Sequence, residues 1–158
     1  MKRIVVYYSL SGNTEEVAQK IANELGADIL KVDTAKPMPK AFIAQILVGG
    51  GQVAMNKVPE IKPIEKNMAD YDEIILGTPI WNSKGVPAIN AFLNLEGTTD
   101  KVKYVFFTSG GGDIDKAVDA LKKKLPNLKN SVSLLDRKNK DFASNEGKIK
   151  EFIEIINA

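Results

Sequence analysis

The sequence predicts an α/β fold, a three-layer α/β/α sandwich in which a five-stranded parallel sheet of order 2-1-3-4-5 lies between helices. Three observations predict it. Short apolar runs rich in β-branched and aromatic residues alternate with segments of helical period to the end of the chain. The strand runs lack polar alternation, as expected of parallel strands buried on both faces. Right-handed crossovers leave few topologies, and five strands fit this order.

Taken in order, residues 4–8 (Ile-Val-Val-Tyr-Tyr) form the first strand. After Asn13 the period changes, with Val17, Ile21 and Leu25 on one face of a helix that ends at Gly26. The second strand, 28–33, is built around Ile29 and Val32, and the third, 73–77, on Ile74-Ile75-Leu76. A helix over 86–95 turns Ile89, Phe92 and Leu93 inward. The fourth strand, 102–108, holds Tyr104-Val105-Phe106-Phe107, and a helix over 114–125 follows with Val118, Leu121 and Leu125. A fifth strand over 131–136 leads to a last helix over 146–157, with Ile149, Phe152, Ile153 and Ile156 inward. The irregular part is 36–71, interrupted by Pro37, Pro39, Pro59 and Pro63. There Gly49-Gly50-Gly51 ends a possible helix over 40–48. This stretch is read as a long connection, with a flap over a ligand as the alternative. No repeat or boundary divides residues 1–158, which are read as one domain.

Composition narrows the chemistry. The chain has no His and no Cys, which excludes an imidazole base, thiolate catalysis and metal sites built on those ligands. Any hard chemistry then falls to a cofactor. With 22 basic and 20 acidic residues the net charge is +2, too balanced to suggest nucleic acid. Lys122-Lys123-Lys124 reads as the solvated side of a helix. No apolar run is long enough to span a membrane. The start Met1-Lys2-Arg3 has no signal-peptide cleavage pattern behind it, so the expected location is cytoplasmic.

In an open parallel sheet, ligands bind beyond the carboxyl ends of the strands where the order reverses, here between the first and third strands. The loops after Tyr8, Leu76 and Thr108 therefore matter most. The first is Ser9-Leu10-Ser11-Gly12-Asn13-Thr14, where a strand turns sharply into a helix. Such a turn leaves backbone N–H groups pointing outward at the positive end of the helix dipole, beside three or four hydroxyls, and suits a phosphate. A helix cap by Ser11 or Asn13 is the competing reading. The turn has no Gly-Lys-Ser/Thr and no Gly-x-Gly-x-x-Gly, so neither a nucleoside triphosphate nor a dinucleotide is indicated.

These residues resemble the flavodoxin phosphate loop, Ser/Thr-x-Ser/Thr-Gly-x-Thr. The resemblance implies that Ser9, Ser11, Gly12, Asn13 and Thr14 hold the 5′-phosphate of FMN. The loop after the third strand, Gly77-Thr78-Pro79-Ile80-Trp81-Asn82-Ser83-Lys84, carries the only tryptophan of the chain. A loop Trp offers a flat face for an isoalloxazine ring; folding back over the sheet edge is the alternative. Thr78 can bond the phosphate or ribityl chain, and Asn82 tolerates the positive φ needed to turn the next carbonyl toward flavin N5. The loop Thr108-Ser109-Gly110-Gly111-Gly112-Asp113 allows close backbone approach to the pyrimidine edge. Asp113 is read as the cap of the next helix.

Together the loops resemble the flavodoxin family over essentially the whole chain, with FMN as the implied cofactor. The candidate cofactor-binding set includes Pro79, Ile80 and Ser83 alongside the residues above, with no catalytic side chain and no metal. Two features depart from the usual pattern of electron-shuttling members: the chain is slightly basic, and residues 108–113 lack an aromatic for the outer flavin face. The expected function is electron transfer between redox partner proteins, a reductase and an acceptor. The alternatives are an FMN-dependent oxidoreductase acting on a nicotinamide or quinone, and an FMN-free binding module.

Overall fold

In the computed structural model, which describes residues 1–41, 58–81, 85–111 and 114–158, five parallel strands form one sheet. They are β1 (Arg3–Tyr7), β2 (Asp28–Lys31), β3 (Glu73–Pro79), β4 (Val102–Ser109) and β5 (Asn130–Leu135), in the order β2-β1-β3-β4-β5. The helices are α1 (Asn13–Leu25), α2 (Pro87–Leu93), the single turn α3 (Thr98–Lys101), α4 (Asp115–Lys122) and α5 (Asn145–Asn157). The three-layer fold and its strand order are those the sequence predicts.

Strand side chains alternate between faces, and the two faces have separate cores. Ile4, Val6, Ile74, Leu76, Val105 and Phe107 meet Ile89 and Phe92 of α2 and Val118 and Leu121 of α4. Val5, Tyr7, Ile75, Tyr104 and Phe106 meet Val17 and Ile21 of α1 and Ile149, Phe152 and Ile156 of α5. Phe92, Phe106, Phe107 and Phe152 are fully buried, each side chain contributing roughly 1.5–3 kcal/mol by its removal from water. Among the described residues, no helix is long and apolar enough to cross a membrane.

Boundaries differ from expectation at informative places. β3 runs on through Thr78 and Pro79 because β4 continues beside it, pairing Pro79 with Thr108. β1 and β2 end earlier than expected, at Tyr7 and Lys31. The α4 helix stops at Lys122, and the chain tightens through Lys124 N–H to Leu121 carbonyl and Leu125 N–H to Lys122 carbonyl. Pro126 disfavours helix in the residue before it. The turn α3, too short to show a period, was not expected; the Thr98 hydroxyl fixes it by donating to the Leu95 carbonyl at 2.8 Å.

The 36–71 excursion is pinned at its neck. Thr34 and Ile61 form an antiparallel bridge, flanked by Ala35 N–H to Glu60 carbonyl and Lys62 N–H to Asp33 carbonyl, both 2.8 Å. The excursion thus leaves and returns near the carboxyl end of β2. The glycine triplet and most of the 40–48 helix expectation lie outside the described residues.

Candidate functional site

The loops after β1, β3, β4 and β5 leave the carboxyl edge of the sheet side by side, and backbone bonds at or just past the strand ends fix where three of them begin. Tyr8 N–H donates to the Gly77 carbonyl (3.2 Å), Ile80 N–H to Thr108 (2.8 Å) and Asp136 N–H to Ser109 (2.8 Å). The sheet therefore sets where these three loops begin.

The first loop turns at Gly12, whose φ of 90° is left-handed. A side chain added there would meet no atom within 4 Å, so only the backbone conformation demands glycine. No side chain caps α1. The capping alternative for Ser11 and Asn13 is therefore not what the structure adopts. Ser9 Oγ instead accepts from Gly12 N–H (3.1 Å), and Asn13 Nδ2 donates to Ser11 Oγ (3.1 Å), which leaves the Ser11 proton for an outside acceptor. Thr14 is buried, and its hydroxyl shares a 2.7 Å bond with that of Thr108. First-turn amides uncapped by any side chain, at the positive end of a 13-residue helix, are a place for an anion.

Thr78 and Ile80 are buried. The Thr78 hydroxyl donates to the Pro79 carbonyl (3.0 Å), so its bond stays inside the protein. Trp81 is half-buried and lies edge-on to Tyr8, with ring centroids 5.6 Å apart and planes at 78°. It packs against Tyr8 just past the end of the first strand, beside the core on that face of the sheet. Burial, with a smaller push from Asp33, raises the Tyr8 hydroxyl to about 12, so it stays neutral. Asn82, Ser83, Lys84, Gly112 and Asp113 lie outside the described residues.

At the end of β4, Thr108 and Ser109 are buried, while Gly110 and Gly111 in the loop that follows are exposed. Ser109 Oγ accepts from Gly111 N–H (3.3 Å). Gly111 has φ 105°, and a side chain there would strike Asn139 Nδ2 at 2.9 Å.

That contact introduces a loop that sequence reasoning missed, the one after β5. Asn139 Nδ2 donates to the Gly110 carbonyl (3.0 Å), and Arg137 N–H to Asn13 Oδ1 (3.4 Å). A cleft of about 470 Å³ opens between Ser11, Asn13, Gly110, Asp136, Lys138 and Lys140. Burial pushes the Asp136 carboxyl above its usual range. The signal was available: the switch-point argument applies to every strand's carboxyl end, and residues 136–141, Asp-Arg-Lys-Asn-Lys-Asp, are all polar.

The residues present suit FMN. The uncapped amides with Ser11 fit a monoester phosphate, the polar cleft fits a polyol, and Trp81 offers a ring surface. Among the described residues no cluster of His, Cys, Asp or Glu could hold a metal. A sequence model described as flavodoxin matches residues 2–156. The chain is 25% identical to a flavoprotein from Lactobacillus acidophilus solved in complex with FMN, with TM-score 0.68 over 92% of this chain and 97% of that one. It is 27% identical to a provisionally assigned flavoprotein from Bacteroides eggerthii, with TM-score 0.74 over 99% and 98%. Two-electron reduced flavodoxin from Megasphaera elsdenii shares the fold at 22% identity and TM-score 0.57, with 96% of each chain covered. The chain belongs to the flavodoxin family.

Proposed function

We propose that this protein binds FMN at the carboxyl edge of its sheet and serves in electron transfer between a reductase and an acceptor protein. The observation that carries the reading is the uncapped amino end of α1, with the Ser11 hydroxyl beside it. When bound, FMN supplies a centre that takes up electrons and gives them back. The chain's residues supply position and electrostatics. The loop from Ser9 to Thr14 holds the phosphate through amides and the Ser11 hydroxyl. Trp81 shields one ring face. The glycine loop after β4, with Gly110 and Gly111 exposed, would let the pyrimidine edge approach the backbone, where donors favour negative charge.

Titration of the apoprotein with FMN, with riboflavin as the control lacking the phosphate, tests the reading through flavin fluorescence. Tight quenching by FMN and much weaker binding of riboflavin supports it. Binding of neither leaves an FMN-free binding module. A second reading, an FMN-dependent oxidoreductase acting directly on a nicotinamide or quinone, draws support from the slight positive charge and the lack of an aromatic at 108–113. The two separate on reduction of the loaded protein. A blue long-wavelength band at half reduction favours the carrier; bleaching by NADPH without a partner protein favours the oxidoreductase.

A further inference from the structure

The first turn of α1 carries two carboxylates, Glu15 and Glu16, at the helix end where the proposed phosphate sits. A carboxylate left uncompensated so close to a dianion repels it. Each is met by a cation from a different element. Glu15 Oε2 lies 3.2 Å from Nζ of Lys31, the last residue of β2, and Glu15 Oε1 accepts from the Tyr7 hydroxyl at 3.0 Å. The bonds from Lys31 and Tyr7 hold the Glu15 carboxyl below its usual range, so it is charged at neutral pH. Glu16 pairs with the Arg137 guanidinium in the loop after β5.

These pairs do little for the fold. Their four side chains are between 34% and 59% exposed, and exposed ion pairs contribute little to stability. Their position says more, because both converge on the one helix turn that must accept an anion. We propose that Lys31 and Arg137 are the charge-compensating residues of the phosphate site. By neutralising Glu15 and Glu16 they set the preference for a phosphorylated over an unphosphorylated flavin, without touching the phosphate. The inference rests on the FMN reading above. It makes both cations positioning residues that act through the carboxylates, and it gives the β5 loop a role in cofactor choice.

The test is the affinity for FMN and for riboflavin of the full chain and four variants, Lys31→Gln, Arg137→Gln, Glu16→Gln and the double Glu16→Gln/Arg137→Gln. Loss of either cation is expected to weaken FMN by roughly three- to tenfold at low salt, the scale of one unpaired charge acting on a nearby dianion through partly solvated protein. Riboflavin affinity stays unchanged. Glu16→Gln tightens FMN, the double variant returns to within about twofold of the parent, and added salt shrinks every difference. A wild-type protein that does not prefer FMN overturns the cofactor reading and this inference with it. A wild type that prefers FMN, with the FMN-to-riboflavin ratio unmoved in both cation variants, overturns this inference alone. Equal losses for the two ligands also overturn it, as the pairs are then merely structural. Should a cation variant fold poorly, Glu16→Gln decides, since it removes charge from an exposed position: unchanged or weaker FMN binding overturns the proposal.

Discussion

Gly77→Ala is the substitution whose effect can be worked most directly from the structure. Gly77 lies in β3 between Tyr7 of β1 and Phe106 of β4, and the Phe106 ring covers it. A methyl group at 77 would lie 2.2 Å from Cζ of Phe106 and 2.7 and 2.8 Å from Cε2 and Cε1. Ordinary carbon contacts are about 3.5–4.0 Å, so the ring must move by more than an ångström. It has nowhere to go, because Phe106 is fully buried among Val17, Ile21, Tyr104 and Leu134. Overpacking of this kind costs about 1–3 kcal/mol, and a clash with three ring atoms belongs at the upper end. The stiffer unfolded chain of alanine returns about 0.4–1 kcal/mol, leaving a net loss of roughly 2 kcal/mol. Denaturant unfolding at unchanged m-value measures it. Phe106→Leu should relieve the clash, so the double variant should be more stable than the two single losses predict, by about 1 kcal/mol. A Gly77→Ala protein within about 0.5 kcal/mol of the parent, or strict additivity with Phe106→Leu, would refute the reasoning.

Gly12→Ala places a side chain at φ 90° with no clash. It should cost about 1–2 kcal/mol of strain and weaken FMN more than riboflavin, read by unfolding and by titration. Thr108→Val removes the buried partner of the Thr14 hydroxyl and should cost about 1–3 kcal/mol; thermal unfolding should show part of this recovered in the Thr14→Val/Thr108→Val double. Two carboxyls should give stability opposite pH slopes. Burial pushes Glu73 up, but bonds and charge from Lys129 and Arg3 outweigh it and hold it below its usual 4.5. Its contribution is therefore present above about 4.5 and lost as pH falls below, and Glu73→Gln should flatten that acid limb of the unfolding midpoint. Asp136 is raised by burial, so its ionisation opposes folding as pH rises; Asp136→Asn should stabilise at neutral pH, with the gain vanishing in acid.

The layers and strand order were legible because parallel strands buried on both faces leave continuous apolar runs, and Tyr104-Val105-Phe106-Phe107 is a clear instance. The strand ends were harder. Gly77 reads as the last residue of its strand, yet it sits inside β3, where its missing side chain makes room for Phe106 from the next strand. Nothing near 77 in sequence announces a ring 29 residues away. The first loop was visible because strand, turn and helix follow one another without a gap. That no side chain caps α1 was not, since Ser11 and Asn13 are both good caps by type; Asn13 instead bonds Ser11 and the Arg137 backbone. The β5 loop announced itself only by its run of polar residues; what joins it to the site is contact with residues distant in sequence, Asn139 to Gly110 and Arg137 to Glu16, which that run does not encode.

Hydroxyls line this site in two different settings, buried and exposed. Ser9, Thr14, Thr78, Thr108 and Ser109 are all buried, and each hydroxyl already has a protein partner: Gly12 N–H, the Thr14–Thr108 pair, the Pro79 carbonyl and Gly111 N–H. These bonds tie the first loop to β4 and shape the glycine turns before any ligand arrives. Ser11 differs in being exposed: it accepts from Asn13 as Ser9 and Ser109 accept from the glycine amides, but its hydroxyl opens to solvent rather than into the protein. The loop from Ser9 to Thr14 carries no Lys or Arg, so its hold on a phosphate rests on amides and hydroxyls set in place beforehand, where little ordering remains to oppose binding. On that argument a buried hydroxyl and Ser11 fail differently when lost. Thr108→Val should lower stability and loosen both flavins together, whereas Ser11→Ala should leave stability near the parent's and weaken FMN alone. Equal effects of the two on the FMN-to-riboflavin ratio would mean that the buried hydroxyls are ligands after all.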